Sequence, residues 1–118
     1  MELKRVVVTG LGAVTPVGLD SEETWNNLVA GKSGAGPITQ FDASKFKTHF
    51  ACEVKGLDVN KYIDRKEARK IDRYTQLALV SAIQAVEDSG MDLESVDKER
   101  IGVVFGVGIG GKTLADCE

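Results

Sequence analysis

The chain has 118 residues, 28% of them charged and 42% hydrophobic, with a net charge of −3. That is a globular composition of single-domain size, which excludes a disordered or fibrous chain, and its mild acidity gives the whole surface no attraction for nucleic acid. No apolar run reaches the roughly 18 residues of a membrane span, and two cysteines without a CxxC spacing make neither a disulfide framework nor a zinc site.

Arg5–Thr9 (RVVVT) is a continuous β-branched run, the pattern of a strand covered on both faces in a parallel sheet. No apolar targeting segment precedes it, so a cytoplasmic protein is expected. The run breaks at Gly10-Leu11-Gly12 and continues as AVTPVG, where Pro16 and Gly18 forbid regular structure. A strand followed by GxG invites a dinucleotide-binding reading, but that fingerprint needs a third glycine three residues after the second. Thr15 stands there and Pro16 follows, so the spacing fails.

Asp20 with Glu23 resembles a capping box and predicts a helix from about Ser21. Trp25, Leu28 and Val29 give it an apolar stripe, and Gly31 ends it. Residues 32–37 (KSGAGP) read as a turn-rich connector, and 38–61 as irregular chain anchored by Phe41, Phe46 and Phe50. His49 and Cys52 lie three residues apart without a third partner, and read as structural residues rather than a catalytic or metal pair.

Residues 65–73 hold five basic side chains (Arg65, Lys66, Arg69, Lys70, Arg73) against Glu67 and Asp72, a local net charge of +3, so the rest of the chain carries −6. On a helix, Lys66, Arg69, Lys70 and Arg73 fall on one face. Alone, such a face is what solvated helices show; its segregation on an acidic chain suggests a field that steers an anionic partner.

Residues 72–89 form the longest predicted helix, apolar over a wide arc that includes Leu77, Leu79, Val80, Ile83 and Val86. So wide an arc predicts burial in something sizeable, while Ala78, Ala82 and Ala85 allow close approach by a neighbour. Ser89-Gly90 terminates it. A charged connector over 91–100, with a short helical turn, leads to a second strand over Ile101–Phe105. That strand ends in Gly106, Gly108, Gly110 and Gly111, bracketing Val107 and Ile109. Ligands bind at the carboxyl ends of strands in open α/β sheets, and glycine lets main chain approach closely; a flexible turn is the plain alternative. Two strands of a parallel pair cannot bury themselves, so the chain is expected to be part of a larger chain or assembly.

RVVVTGLGAVTPVG (5–18), RKEARKID (65–72) and FGVGIGG (105–111) stand in the order and spacing of one family. In them the chain resembles the β-ketoacyl-[acyl-carrier-protein] synthases, most nearly their type II branch, up to about Gly111; the tail KTLADCE departs from the pattern. The resemblance implies an α/β fold of the thiolase-like type, five layers (αβαβα) when complete, of which residues 1–118 supply part of the amino-terminal half. It implies fatty-acid elongation by an acyltransferase, in which an acyl group passes from carrier protein to a cysteine and condenses with malonyl-carrier protein as carbon dioxide leaves. The nucleophilic cysteine and two histidines of the family would lie beyond Glu118. Cys52, Cys117 and His49 match none of them, so the chain is expected to hold no catalytic residue and to be inactive alone.

By the same resemblance, Lys66, Arg69 and Lys70 match the residues that receive the acidic carrier protein, and Ile109, beside Gly108, matches an apolar residue of the acyl pocket. Implied partners are acyl carrier protein, acyl and malonyl thioesters and a second copy in a homodimer. No cofactor, metal, nucleic acid or membrane is implied. A non-catalytic partner subunit that sets chain length, or a free-standing carrier-protein-binding fragment, are the alternatives.

Overall fold

The structure, a computed structural model, describes residues 3–111; Cys117 lies outside them. The chain divides into two compact units, Ala13–Asp58 and the segments on either side of it, Met1–Gly12 with Val59–Glu118.

In the unit Ala13–Asp58, helix α1 spans Ser21–Val29. Asp20 Oδ1 accepts from the Glu23 N–H at 2.7 Å while Glu23 Oε2 accepts from the Leu19 N–H at 2.8 Å. This is the expected reciprocal cap, with its return bond shifted one residue outward. At the other end Lys32 N–H donates to Asn27 O at 2.9 Å and Gly31 N–H to Leu28 O at 3.0 Å. Those paired bonds, with Gly31 at φ 68°, make a Schellman stop.

The predicted apolar stripe does not anchor this helix. Trp25, Leu28 and Val29 are 67%, 56% and 69% exposed. The face that packs is the one bearing Thr24 and Asn27. Asn27 Nδ2 donates to Val17 O at 2.5 Å, and the Thr24 and Thr15 hydroxyls lie 3.1 Å apart. Gly18 is buried, with its α-carbon so near the helix that a Cβ would sit 2.3 Å from Thr24 N. Hydrogen bonds to a tight Thr15–Gly18 turn choose this face, and the apolar residues are left outward.

Strands β1 (Ala35–Pro37) and β2 (Phe50–Cys52) pair antiparallel with Ala35 opposite Cys52. The stretch read as connector and irregular chain therefore holds a short ladder, extended by Ile38 N–H to His49 O at 3.1 Å. Phe41 and Phe46 meet edge to face at 5.4 Å, but of the expected anchors Phe46 is 52% and Phe50 65% exposed. Glu53 locks the open end, accepting from Thr39 N–H at 3.0 Å and Thr39 Oγ1 at 2.7 Å. These bonds, the hydroxyl's first, hold its carboxyl below the ordinary glutamate range.

In the other unit, α2 spans Arg65–Ala68 and α3 spans Arg73–Ser89. The single basic face is corrected here, because the basic residues straddle two helices and a break. Asp64 caps α2 through Lys66 N–H at 2.8 Å. Asp72, in extended conformation at φ −67° and ψ 159°, starts α3 anew. Gln76 Nε2 donates to Ala68 O at 2.8 Å, satisfying a carbonyl that the end of α2 leaves open. Gly90 closes α3 at φ 63°. A 3₁₀ turn at Val59–Lys61 precedes α2, and another at Lys98–Arg100, capped by Asp97, supplies the expected turn in the charged connector.

The buried apolar side chains among the described residues are Val59, Ala68 and Val80, all in this unit. Against α3 lies the Gly10-Leu11-Gly12 segment. A Cβ on Gly12 would sit 1.9 Å from Ser81 O, and one on Gly10 2.2 Å from Ala85 O. Leu11 N–H donates to Asp88 Oδ2 at 2.8 Å. The close approach expected along the alanines of the helix is thus made at Ala85.

Neither predicted strand pairs. Arg5–Thr9 and Ile101–Phe105 take part in no sheet ladder among the described residues. A strand of this composition needs neighbours on both edges and both faces. Instead Val6 is 90%, Val8 78%, Val103 81% and Val104 96% exposed.

Two outcomes follow. Gly12→Ala forces a methyl into backbone and should lower the urea-unfolding free energy, followed by helical circular dichroism, by about 2 kcal/mol; a loss under about 0.5 kcal/mol would show that the segment is not held. Because the Glu53 carboxyl is lowered in the folded state, its stabilisation is present above the unfolded value and lost as pH falls through the folded one. Thr39→Val should move the Glu53 titration midpoint, read by carboxyl-carbon NMR, up toward the ordinary glutamate range.

Candidate functional site

Two features flank α3, a basic segment before it and a glycine loop after it. In the first, Lys66 lies within α2, Arg69 caps its end and Lys70 occupies the break. All three are exposed. Lys70 Nζ lies 2.8 Å from Glu67 Oε1, with the two side chains 68% and 61% exposed, a pair worth little in water. The segment keeps a net positive charge exposed to solvent.

In the second, Tyr74, Ala78 and Ala82 recur at four-residue steps, so they share one face of α3. With Val103, Phe105 and Val107 they line a groove of about 760 Å³. Its walls are apolar and do not carry a paired acid and base. Gly108 lines the groove. Ile109 follows it, 82% exposed and at φ 69°. A β-branched side chain in the left-handed region is strained, and the surroundings must hold it there.

The surroundings are the first turn of α3. A Cβ on Gly110 would meet Val107 Cγ2 at 2.5 Å and the Tyr74 ring at 3.1 Å; one on Gly111, at φ 79°, would meet Asp72 Oδ2 at 2.7 Å. The glycines let the loop fold down onto Asp72 and Tyr74. Asp72, which makes no side-chain cap bond to its own helix, and Tyr74 were not singled out by the sequence as site residues. Their signal was present only as the helix start and the apolar spacing of α3.

His49 and Cys52 lie on the other unit, at and beside β2, both exposed rather than packed inside. No cluster of three His, Cys, Asp or Glu side chains able to hold a metal forms among the described residues. No helix is long and apolar enough to cross a membrane.

Residues 3–118 match the family model described as "Beta-ketoacyl synthase, N-terminal domain". The match runs through the KTLADCE tail, where the sequence resemblance had stopped at Gly111. A 3-oxoacyl-[acyl-carrier-protein] synthase 2 of Synechocystis sp. is 45% identical over 117 residues, covering 98% of this chain and 28% of that protein. One from Coxiella burnetii is 50% identical over 111 residues, covering 94% of this chain and 27% of that protein. The chain therefore spans little more than a quarter of the length of these relatives. Among solved structures, the ishigamide ketosynthase/chain length factor superposes with a TM-score of 0.69 at 36% identity, over 75% of this chain and 22% of that one. The expected fold class stands: an α/β chain with part of the thiolase-like ketosynthase fold.

The strain at Ile109 is measurable. Its side chain is mostly exposed, so Ile109→Asn forfeits little burial and removes a left-handed β-branched residue, and should raise unfolding free energy by about 1 kcal/mol. Ile109→Val, which keeps the branch, should leave it unchanged; equal stability of all three would show a relaxed loop.

Proposed function

The chain belongs to the β-ketoacyl synthases through their amino-terminal domain, and from that premise we propose that it is the amino-terminal portion of a type II β-ketoacyl-[acyl-carrier-protein] synthase of fatty acid biosynthesis. The observation that carries the reading is the family match over residues 3–118, together with relatives named 3-oxoacyl-[acyl-carrier-protein] synthase 2. The parent acts in the cytoplasm as a homodimer, taking acyl and malonyl thioesters of acyl carrier protein.

Within that reaction the chain's own residues receive and accommodate. Lys66, Arg69 and Lys70 dock the acidic carrier protein, speeding encounter by long-range attraction that weakens with salt. Gly108 and Ile109 border the acyl chain, which lies along the apolar groove of α3. Acyl transfer needs an activated thiolate, and loss of carbon dioxide needs donors aimed at the developing enolate oxygen. His49 and Cys52 provide neither, so those groups come from the remainder of the synthase.

A second reading has its own support, since the ketosynthase/chain length factor among the structural neighbours suits a non-catalytic subunit that sets product length. The two part on whether the parent carries the nucleophilic cysteine and both histidines.

The test is a condensation assay with acyl- and malonyl-carrier protein. The chain alone should form no 3-oxoacyl product, whereas a complete synthase carrying this sequence should form it. In that synthase Ile109→Phe should shorten the longest acyl chain accepted. Unchanged product lengths would remove Ile109 from the pocket, and an inactive complete synthase would favour the chain-length subunit.

A further inference from the structure

Ile109 stands at φ 69° with its side chain 82% exposed, so its own packing does not hold it in that strained conformation. The residue after it carries the restraint. The position of a Cβ on Gly110 lies 2.5 Å from Val107 Cγ2 and 3.1 Å from both Cδ1 and Cε1 of Tyr74. Gly110 is thus caught between a side chain of its own loop and one of α3. The same position on Gly111 is 3.5 Å from Tyr74 Cε1, which carries the contact one residue further.

The two supports differ in rigidity. Val107 moves with the loop, whereas Tyr74 stands on the first turn of a 17-residue helix. On a helix a long side chain keeps to one of two χ1 values, so the ring is a firm abutment. Its other surface is open: Tyr74 is 42% exposed and lines the apolar groove with Ala78, Ala82, Val103 and Phe105. One rigid ring therefore meets both the space of the groove and the loop that carries Ile109. Turning it to its other rotamer would reshape the groove and unseat Gly110 in the same movement.

We infer that Tyr74 is a positioning residue for acyl-chain length, its ring edge holding Ile109 in place through Gly110. The inference rests on the acyl-pocket reading of Ile109 above and deepens it: Ile109 supplies the bulk, and Tyr74 keeps that bulk where it is. The contact is made by Cδ1 and Cε1, so it requires the aromatic ring and not the hydroxyl.

Two measurements test it. In the full chain, NMR order parameters of the Ile109–Gly111 backbone should fall from about 0.85 to under about 0.6 in Tyr74→Ala and keep the parent's values in Tyr74→Phe. Helical circular dichroism checks that α3 persists in both. In a complete synthase carrying this sequence, Tyr74→Ala should raise kcat/KM for the longest acyl substrates about tenfold relative to the shortest, and Tyr74→Phe should keep the parent's ratio. With Ile109→Gly already present, Tyr74→Ala should change that ratio by under about twofold, because no side chain is left to position.

An equal change in both backgrounds makes Tyr74 a wall of the groove acting by direct contact, and overturns the inference. So does a loop as rigid in Tyr74→Ala as in the parent, or a length ratio that Tyr74→Ala leaves unmoved; in each case the pocket reading of Ile109 stands. A ratio that Ile109→Gly by itself leaves unchanged removes that reading, and the positioning role with it.

Discussion

The contact on which most of the larger unit depends is main chain against main chain. Gly10 and Gly12 lie so close to α3 that a Cβ on either would enter the backbone of Ser81 or Ala85. At that separation the Leu11 N–H reaches Asp88 Oδ2 at 2.8 Å. A segment next to the chain's start is thereby fixed to a helix more than 70 residues later, with glycine as the only residue small enough. The same helix carries the loop at its other end, where Tyr74 and Asp72 receive Gly110 and Gly111. In both places absent side chains do the positioning, because a missing Cβ removes the steric limit and leaves the polar and van der Waals contacts to set the distance.

What was legible in the sequence was what short-range chemistry decides. Asp20 and Glu23 announced α1, Gly31 and Gly90 announced helix ends, and each is found as a cap or stop. Such bonds close within four residues, so no distant partner can overrule them. The errors lie where the outcome depends on a distant or competing partner. Arg5–Thr9 and Ile101–Phe105 have the composition of central strands, but a ladder is a property of two segments and not of one. The basic run looked like one helical face because the end of α2 at Ala68 leaves no local mark; with Asp72 starting α3, the run is split between two helices. Trp25, Leu28 and Val29 set the right period and the wrong face, since Thr24 and Asn27 had hydrogen bonds to make at Thr15 and Val17.

The candidate site was legible in the same uneven way. The glycine cluster after Phe105 pointed to a close approach, and the loop does press on Tyr74. That Ile109 sits at φ 69° could not be foreseen, because composition makes glycine the expected occupant of such a conformation. The strain falls on the one residue of Gly108–Gly111 that has a side chain. It is held there by glycines packed immediately after it, so the loop's shape is set by Gly110 and Gly111 and merely tolerated by Ile109.

Charge and apolar surface divide the labour of the proposed function along α3. Exposed cations act over about a Debye length, some 8–10 Å at moderate salt, and so govern approach without fixing a ligand's position. The groove of Tyr74, Ala78 and Ala82 works only at contact, and hydrophobic attraction is non-directional. Neither effect by itself sets how long an acyl chain fits; that requires a boundary that does not yield. A strained residue pinned by close-packed glycines is such a boundary, whereas a relaxed loop of the same apolar character would move aside. On this reading the bulk of the Ile109 side chain sets the limit, and its pinned φ keeps that limit in place.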